Sequence, residues 1–417
     1  MRMAILLRSG LSMKNLLFKI AILVLTMSLA LVSFACGGDE DATSQTTGKY
    51  KYRIATGTKV NEETKENETY KYYSITGYEV SSEDALKMAE GDFSTVSKYR
   101  DITIPKTGRD LGEDNDSPVE EIDAGAFTNQ IILTSVVVGD NIKKIGEGAF
   151  AGCMNLEKLS LPFIGESVEA LNSARVFGHI FGSSSTDENN VEVTAKTTER
   201  KDEIGNSILG DSTITFKVPS SLKEVDLSNS TLTNISECAF YGMSMLKTIT
   251  IPETVTEIDS HAFFNCSGII SFDLKNVKTI YESAFTGCTS LHTVNFGSVE
   301  TIKMAAFQGC TSLGSKRFVD ETTEEGENKL TIKLPSSLKE LGKSAFKGCS
   351  SVIFFDIKGT AITVIDNSVF AECFALKKIT INDNSIIRAG AFTNCSELKK
   401  NIVGTYTAET GAFDSED

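Results

Sequence analysis

Seven cysteines stand three residues after a phenylalanine: Cys153, Cys266, Cys288, Cys310, Cys349, Cys373 and Cys395. A cysteine at a repeated spacing can ligate a metal or close a disulfide, because its thiolate is both ligand and nucleophile. Either role needs a second donor close by. No Cys-x-x-Cys pair and no adjacent histidine accompanies any of the seven, which departs from the spacing of zinc and redox sites. One cysteine per repeat at a buried place instead reads as a structural ladder, with cysteine acting as a small hydrophobe. Met243 and Gln130 each take that place once, and Cys238 precedes its phenylalanine instead of following it. The three histidines are as scattered: His179 in an insertion, His261 beside an Ala-Phe pair, His292 on an outward strand position. None joins a Ser/His/Asp or Cys/His set. The acidic run of Asp320, Glu321, Glu324, Glu325 and Glu327 lacks the alternating ligands and glycine of an EF-hand loop. No phosphate-cradling glycine loop occurs. The residue chemistry therefore points to binding, with no catalytic residue, metal or cofactor expected.

The elements that position these residues repeat. Ala-Phe, once Val-Phe, recurs at Phe127, Phe150, Phe240, Phe263, Phe285, Phe307, Phe346, Phe370, Phe392 and Phe413. Seven of the nine spacings lie between 21 and 24 residues; the other two are 90 and 39 residues, across which the pattern resumes in phase. Phe, Cys and Leu three apart fit one face of a short helical turn. Leu156-x-x-Leu159-x-Leu161, Leu246-x-x-Ile249-x-Ile251 and Leu376-x-x-Ile379-x-Ile381 fit strands with alternate residues inward. A second apolar line follows in Val255-x-x-Ile258, Val277-x-x-Ile280, Val299-x-x-Ile302 and Leu338-x-x-Leu341. Gly or Asn precedes the Cys place in every repeat except at Glu372, as a left-handed turn residue requires. Pro105, Pro162, Pro219, Pro252 and Pro335 each end an apolar strand stretch. A single coil cannot bury its apolar side; stacked coils can.

The unit x-Ile-x-x-x-Ala-Phe-x-Gly-Cys-x-x-Leu-x-x-Ile-x-Ile-Pro resembles the BspA-type, or treponemal-type, leucine-rich repeat over residues 102 to 413. The resemblance implies an α/β repeat solenoid, a right-handed array of short strands and short helical turns. Residues 102–417 form the solenoid, with insertions at about 164–212 and 314–329. Residues 49–101, rich in tyrosine and threonine, read as a β cap over its open N-terminal edge. The first insertion contains Val176-Phe177-Gly178-His179-Ile180-Phe181-Gly182, of a kind found in this family. The second is acidic. Long loops projecting from a solenoid often carry binding. After Phe413, Asp414, Glu416 and Asp417 are the residues available for a charged lid.

Met13 to Lys19 is basic, Ile20 to Phe34 is almost wholly apolar, and Ala35-Cys36-Gly37-Gly38 follows. That order describes a secretory signal peptide over residues 1–35. Met13 opens it better than Met1, so residues 1–12 read as an upstream extension or a misassigned start. The apolar run is short for a membrane span of about twenty residues. Cys36 resembles the lipidated cysteine of bacterial lipoproteins, behind the relaxed box Ser33-Phe34-Ala35. Residues 36–48 then form a flexible tether, and Gly37-Gly38-Asp39-Glu40-Asp41 looks like the acidic signal that sends Bacteroidetes lipoproteins outward. Two or more acyl chains on one cysteine anchor well.

The chain has 417 residues, a net charge of −15 and 41% hydrophobic residues, enough to bury a core. The acidic balance opposes nucleic-acid binding and adsorption to anionic lipid, so membrane contact is expected through the lipid only. Outward strand residues such as Glu157/Lys158/Ser160, Lys247/Thr248/Thr250, His292/Thr293/Asn295 and Lys377/Lys378/Thr380 form a polar face rich in Lys and Thr. The expected protein is a monomeric lipoprotein on the outer membrane of a Gram-negative cell. The resemblance implies adhesion to host matrix proteins, such as fibronectin and fibrinogen, or to other cells. A glycan- or nutrient-binding part of an uptake system, and a structural envelope spacer, are the alternatives. No ligand-binding residue can be named from sequence.

Overall fold

The computed structural model describes residues 45–47, 50–62, 64–92, 94, 96–170, 172–183, 190–197, 212–315 and 330–413. The signal-peptide residues 1–35, Cys36 with the tether as far as residue 44, the acidic run and the last four residues lie outside them, while residues 45–47 of the tether form a strand. The chain winds into a three-sided solenoid. Its first side stacks the strands 101–103, 135–137, 158–160, 224–226 and 248–250, then 271–273 with 293–295, then 331–333, 354–356, 378–380 and 402–403. The pairs are parallel and in register, as in Phe272 opposite Val294 and Phe355 opposite Ile379. We number the coils one to eleven by these strands. The second side stacks 119–122 on 144–145, the two-residue strands from 234–235 to 340–341, and 364–365, 385–387 and 406–408.

The third side carries the expected short turns, each closed singly and not joined into a helix. Successive bonds such as Ala262 N–H to Asp259 O (3.2 Å), Phe264 N–H to His261 O (3.1 Å) and Cys266 N–H to Phe263 O (3.1 Å) close separate turns. His261 and Asn265 sit at φ 58° and 56°, and each left-handed residue reverses the helical sense before a second turn can form. A period of three suits such consecutive turns as well as it suits a helix. The left-handed pair recurs, as Ser283 with Gly287, Ala305 with Gly309, and Ser344 with Gly348. At Gly287, φ 76°, a Cβ would also lie 2.1 Å from Asn265 Oδ1.

A third ladder runs along these turns. Each Phe N–H donates to the carbonyl of the Ala, or its equivalent, in the next coil, from Phe127 to Ala149 (2.7 Å) through Phe392 to Ala412 (3.0 Å). The alanine must be small because its backbone meets the neighbouring turn, and Ala149, Ala262, Ala284 and Ala306 have no exposed surface. The phenylalanine rings stack inside, Phe263 on Phe285 at 5.2 Å and Phe285 on Phe307 at 5.1 Å. Burial contributes roughly 1.5–3 kcal/mol per ring, and each aromatic contact about 0.5–1.5 kcal/mol more.

The first insertion does not leave this column open. Residues 177–181 form a 3-10 turn, and Phe181 meets Phe150 (6.5 Å) while Phe177 meets Phe240 (5.1 Å). Phe150 N–H donates to Ile180 O (2.8 Å) and Phe177 N–H to Ala239 O (2.9 Å). Among its described residues the insertion also holds the antiparallel hairpin of Asn190–Thr197 with Ser212–Pro219. At the N-terminal end, β1 (Gln45–Thr47), β2 (Tyr50–Val60) and β3 (Asn67–Tyr78) form an antiparallel meander. Here β3 pairs in parallel with strand 119–122, and Tyr78 begins the aromatic column at 5.6 Å from Phe127. Arg53 joins hairpin to coil through two 2.9 Å bonds to the Asp123 carboxylate. Helices α1 (Ser82–Glu90) and α2 (Ser97–Arg100) meet at buried Asp84, which accepts from Tyr99 Oη (2.6 Å) and Ser81 Oγ (2.8 Å).

Candidate functional site

The cysteines occupy one line beneath the third side, one per coil, all free and buried. Each thiol points at the carbonyl of the phenylalanine one coil back: Cys153 to Phe127 (3.1 Å), Cys266 to Phe240 (3.0 Å), Cys288 to Phe263 (3.2 Å) and Cys310 to Phe285 (3.2 Å). Cys349, Cys373 and Cys395 repeat the bond at 3.2, 3.3 and 3.0 Å. Cysteine is thus more than a small hydrophobe here. It donates a weak hydrogen bond to a carbonyl that also closes its own turn, using that oxygen's second lone pair. Gln130 makes the same bond, its Nε2 donating to Tyr78 O at 2.9 Å, and this gives a physical reason for the departure. Burial pushes the thiols of Cys153, Cys288 and Cys349 up to about 12, so they stay protonated and inert. Among the described residues, no group of three or more His, Cys, Asp or Glu could hold a metal ion.

The histidines do not converge. His179 is buried under the first insertion, its Nε2 without a partner. His261 is half-buried against Phe264, ring centroids 5.5 Å apart, with Nδ1 unpartnered. Burial holds both below the ordinary imidazole range. His292, placed outward on its strand, turns aside to Ser312 O and Ser315 Oγ at 2.8 and 2.9 Å from Nδ1.

The outward face of the first side is the longest continuous surface. Its charge is mixed rather than basic. Lys158 pairs with Glu224 (2.9 Å), and Lys333 lies 3.8 Å from Asp356. The acids at the strand ends have a structural use: Asp226, Asp273 and Asp356 Oδ1 each accept from the backbone two residues on, at 2.9, 3.1 and 2.9 Å, turning the corner after the strand. Sequence reasoning missed this because Asp, Asn and Thr alternate at the position. A notch of about 830 Å³ is lined by Ile142, Lys143, Phe163, Val168, Asn229 and Thr231. Val168 is 60% exposed, and the nearby Glu166 carbonyl accepts from Ile145 N–H (2.8 Å).

A family model of the BspA type leucine rich repeat region, in six copies, matches residues 63–170, 212–329 and 324–415. No curated protein matches the chain. Among solved structures it is similar to a leucine-rich repeat protein from Bacteroides ovatus, with 18% identity, 89% of this chain and 80% of that chain covered, and TM-score 0.42. It is also similar to a leucine rich cell surface protein from Faecalibacterium prausnitzii (19%, 90% and 97%, TM-score 0.27) and to the T. pallidum leucine rich repeat protein (17%, 70% and 86%, TM-score 0.28). The segments that the family model matches span most of the described solenoid. The chain belongs to the BspA-type leucine-rich repeat family.

Proposed function

We propose that this protein is a cell-surface lipoprotein, acylated at Cys36, whose solenoid binds a protein or glycan ligand in adhesion to host matrix or to other cells. The observation that carries the reading is the outward face of the first side. Eleven described strands set polar side chains on a nearly regular lattice, some of them paired across coils as Lys158 is with Glu224. Repeat solenoids use such extended faces to bind. The Cys36 assignment adds a way of holding that face away from the membrane on an acidic tether.

Protease shaving of intact cells, radiolabelled palmitate incorporation with and without Cys36→Ser, and a binding array of matrix proteins and glycans test the reading together. Shaving should remove the solenoid, the substitution should abolish the label, and the lipid-free chain should retain at least one matrix protein. Full protection in intact cells would sink the adhesion reading. Retention of polysaccharide alone would assign the protein to glycan capture.

A further inference from the structure

The residue after each column phenylalanine is turned to the outside of the third side, half-buried or exposed except where it is alanine. In seven coils it is Thr, Ala, Gln or Lys, so the fold asks little of it beyond fitting a turn. Tyr241 of coil four and Phe264 of coil five are the exceptions. They are neighbours, both half-buried, and their rings stack with centroids 4.9 Å apart and planes 10° from parallel. Phe240 and Phe263, which precede them, have no exposed surface, so the core is complete without the outer pair. The His261 ring joins them, 5.5 Å from Phe264, at a left-handed position where coils four and six hold only Cys238 and Ser283.

Shape and charge together identify what this surface fits. Rings that stack between successive coils lie across the stacking axis, so their outer faces look along it. On the coil-six side of Phe264 the equivalent residue is Thr286, whose Oγ1 donates to Ala305 O at 2.6 Å. No ring continues the stack there, and that face of Phe264 is left for something flat. Glu282 belongs to the same coil as Thr286. Its backbone carbonyl accepts from His261 N–H (3.0 Å), which sets it beside the rings. Its Oε2 accepts from Ser260 Oγ at 3.2 Å, and Oε1 has no partner among the described residues. Glu237 and Glu282 both lie within electrostatic reach of the His261 imidazole. Lys303, one coil further, is held by Glu340 at 2.9 Å. The rings therefore sit in a negative field.

We propose that this patch receives an arginine side chain of a partner protein. The guanidinium lies flat on the open face of Phe264, within the roughly 6 Å of the centroid that cation–π contacts need, and donates to Glu282 Oε1. Arginine suits the site better than lysine does, because its planar group is weakly hydrated, stacks on rings and forks onto a carboxylate. A neutral sugar covers a ring but leaves the carboxylate charge without a counterpart. The inference rests on the binding reading above and gives that binding a place and a partner chemistry.

A net charge of −15 attracts any cationic probe, so stacking has to be separated from bulk charge. The lipid-free mature chain carrying Cys36→Ser is titrated with fluorescent acetylated peptides GRGRGRG and GKGKGKG, with maltoheptaose and the matrix-protein array alongside. The arginine peptide should bind saturably and at least fivefold more tightly than the lysine peptide. Phe264→Thr installs the residue that coils one and six carry, and Glu282→Gln keeps the side-chain volume. Each should weaken the arginine peptide at least fivefold, with urea midpoints close to that of Gln308→Thr, the control on the same side, which should bind as the parent does. If the two peptides bind alike and Phe264→Thr changes neither, only bulk charge acts and the proposal fails. If maltoheptaose binds and Phe264→Thr abolishes it, the patch takes sugar and the proposal fails. If a matrix protein is retained equally by the parent and Phe264→Thr, the site lies elsewhere: the proposal fails while the binding reading stands. If the array retains nothing and no peptide binds, both fall.

Discussion

Gln130 and Cys288 do one job with different atoms: each donates a hydrogen bond to the carbonyl of the aromatic residue one coil back. Removing a donor from a buried carbonyl costs about 1–3 kcal/mol. Gln130→Leu is therefore expected to destabilise by that amount and Gln130→Cys by clearly less, as read from urea midpoints. Equal losses would reduce the Cys place to packing alone. The thiols carry a separate expectation. A rise from 9.0 to about 12 at Cys288 lowers its thiolate fraction about a thousandfold. Ellman's reagent at pH 8 should find the seven ladder cysteines silent in the native chain and reactive in guanidinium. The periodic placement of these cysteines was legible in the sequence, but their donor role was not. Met243 at the same place argues for mere bulk, and only the position of Tyr78 reveals what Gln130 contacts.

The turn on the third side is where local sequence and local structure part. Its second left-handed residue is legible, because Gly or Asn fills it in nearly every coil. The first is held by Cys238, His261, Ser283, Ala305, Ser344 and Ser368 among others, side chains with no shared preference for that conformation. Stacking imposes it: the Phe N–H reaches the neighbouring coil only if the chain reverses first. Such positions hold strain that glycine would relieve. Ser344→Gly, at φ 57°, should raise stability by about 0.5–1 kcal/mol after the entropy of the unfolded glycine is deducted. A decrease in the thermal midpoint would mean that the serine side chain contributes more than its backbone costs. The Phe177 and Phe181 pair shows the converse. Its residues were visible within the first insertion, yet their place in the aromatic column was hidden by the loss of period around them.

Across the whole molecule, acid should loosen the solenoid at two places. His179 and His261 lie below the ordinary imidazole range because burial disfavours the charged ring, against Glu147 and Glu166 at the first and Glu237 and Glu282 at the second. Above about pH 6.5, the value for an unfolded histidine, both states are neutral and stability is complete. As pH falls below that value the unfolded chain takes up protons first, so stability declines until the folded pKa is passed. The parent should therefore lose more stability between pH 7.5 and pH 5 than the His179→Gln/His261→Asn variant, by urea unfolding at both pH values. Parallel losses would place the acid sensitivity on the carboxylates. The strand ladders are interrupted among the described residues on the first side between coils five and six and between coils seven and eight, and on the second side between 340–341 and 364–365, and these gaps have a mechanical meaning as well. A chain held at one end and gripped at the other carries tension along the stacking axis, and each junction resists with the ladders it has. Where one ladder is missing, the remaining sides share the load. Under a pulling force these junctions are the fuses of the molecule, expected to part first in single-molecule extension.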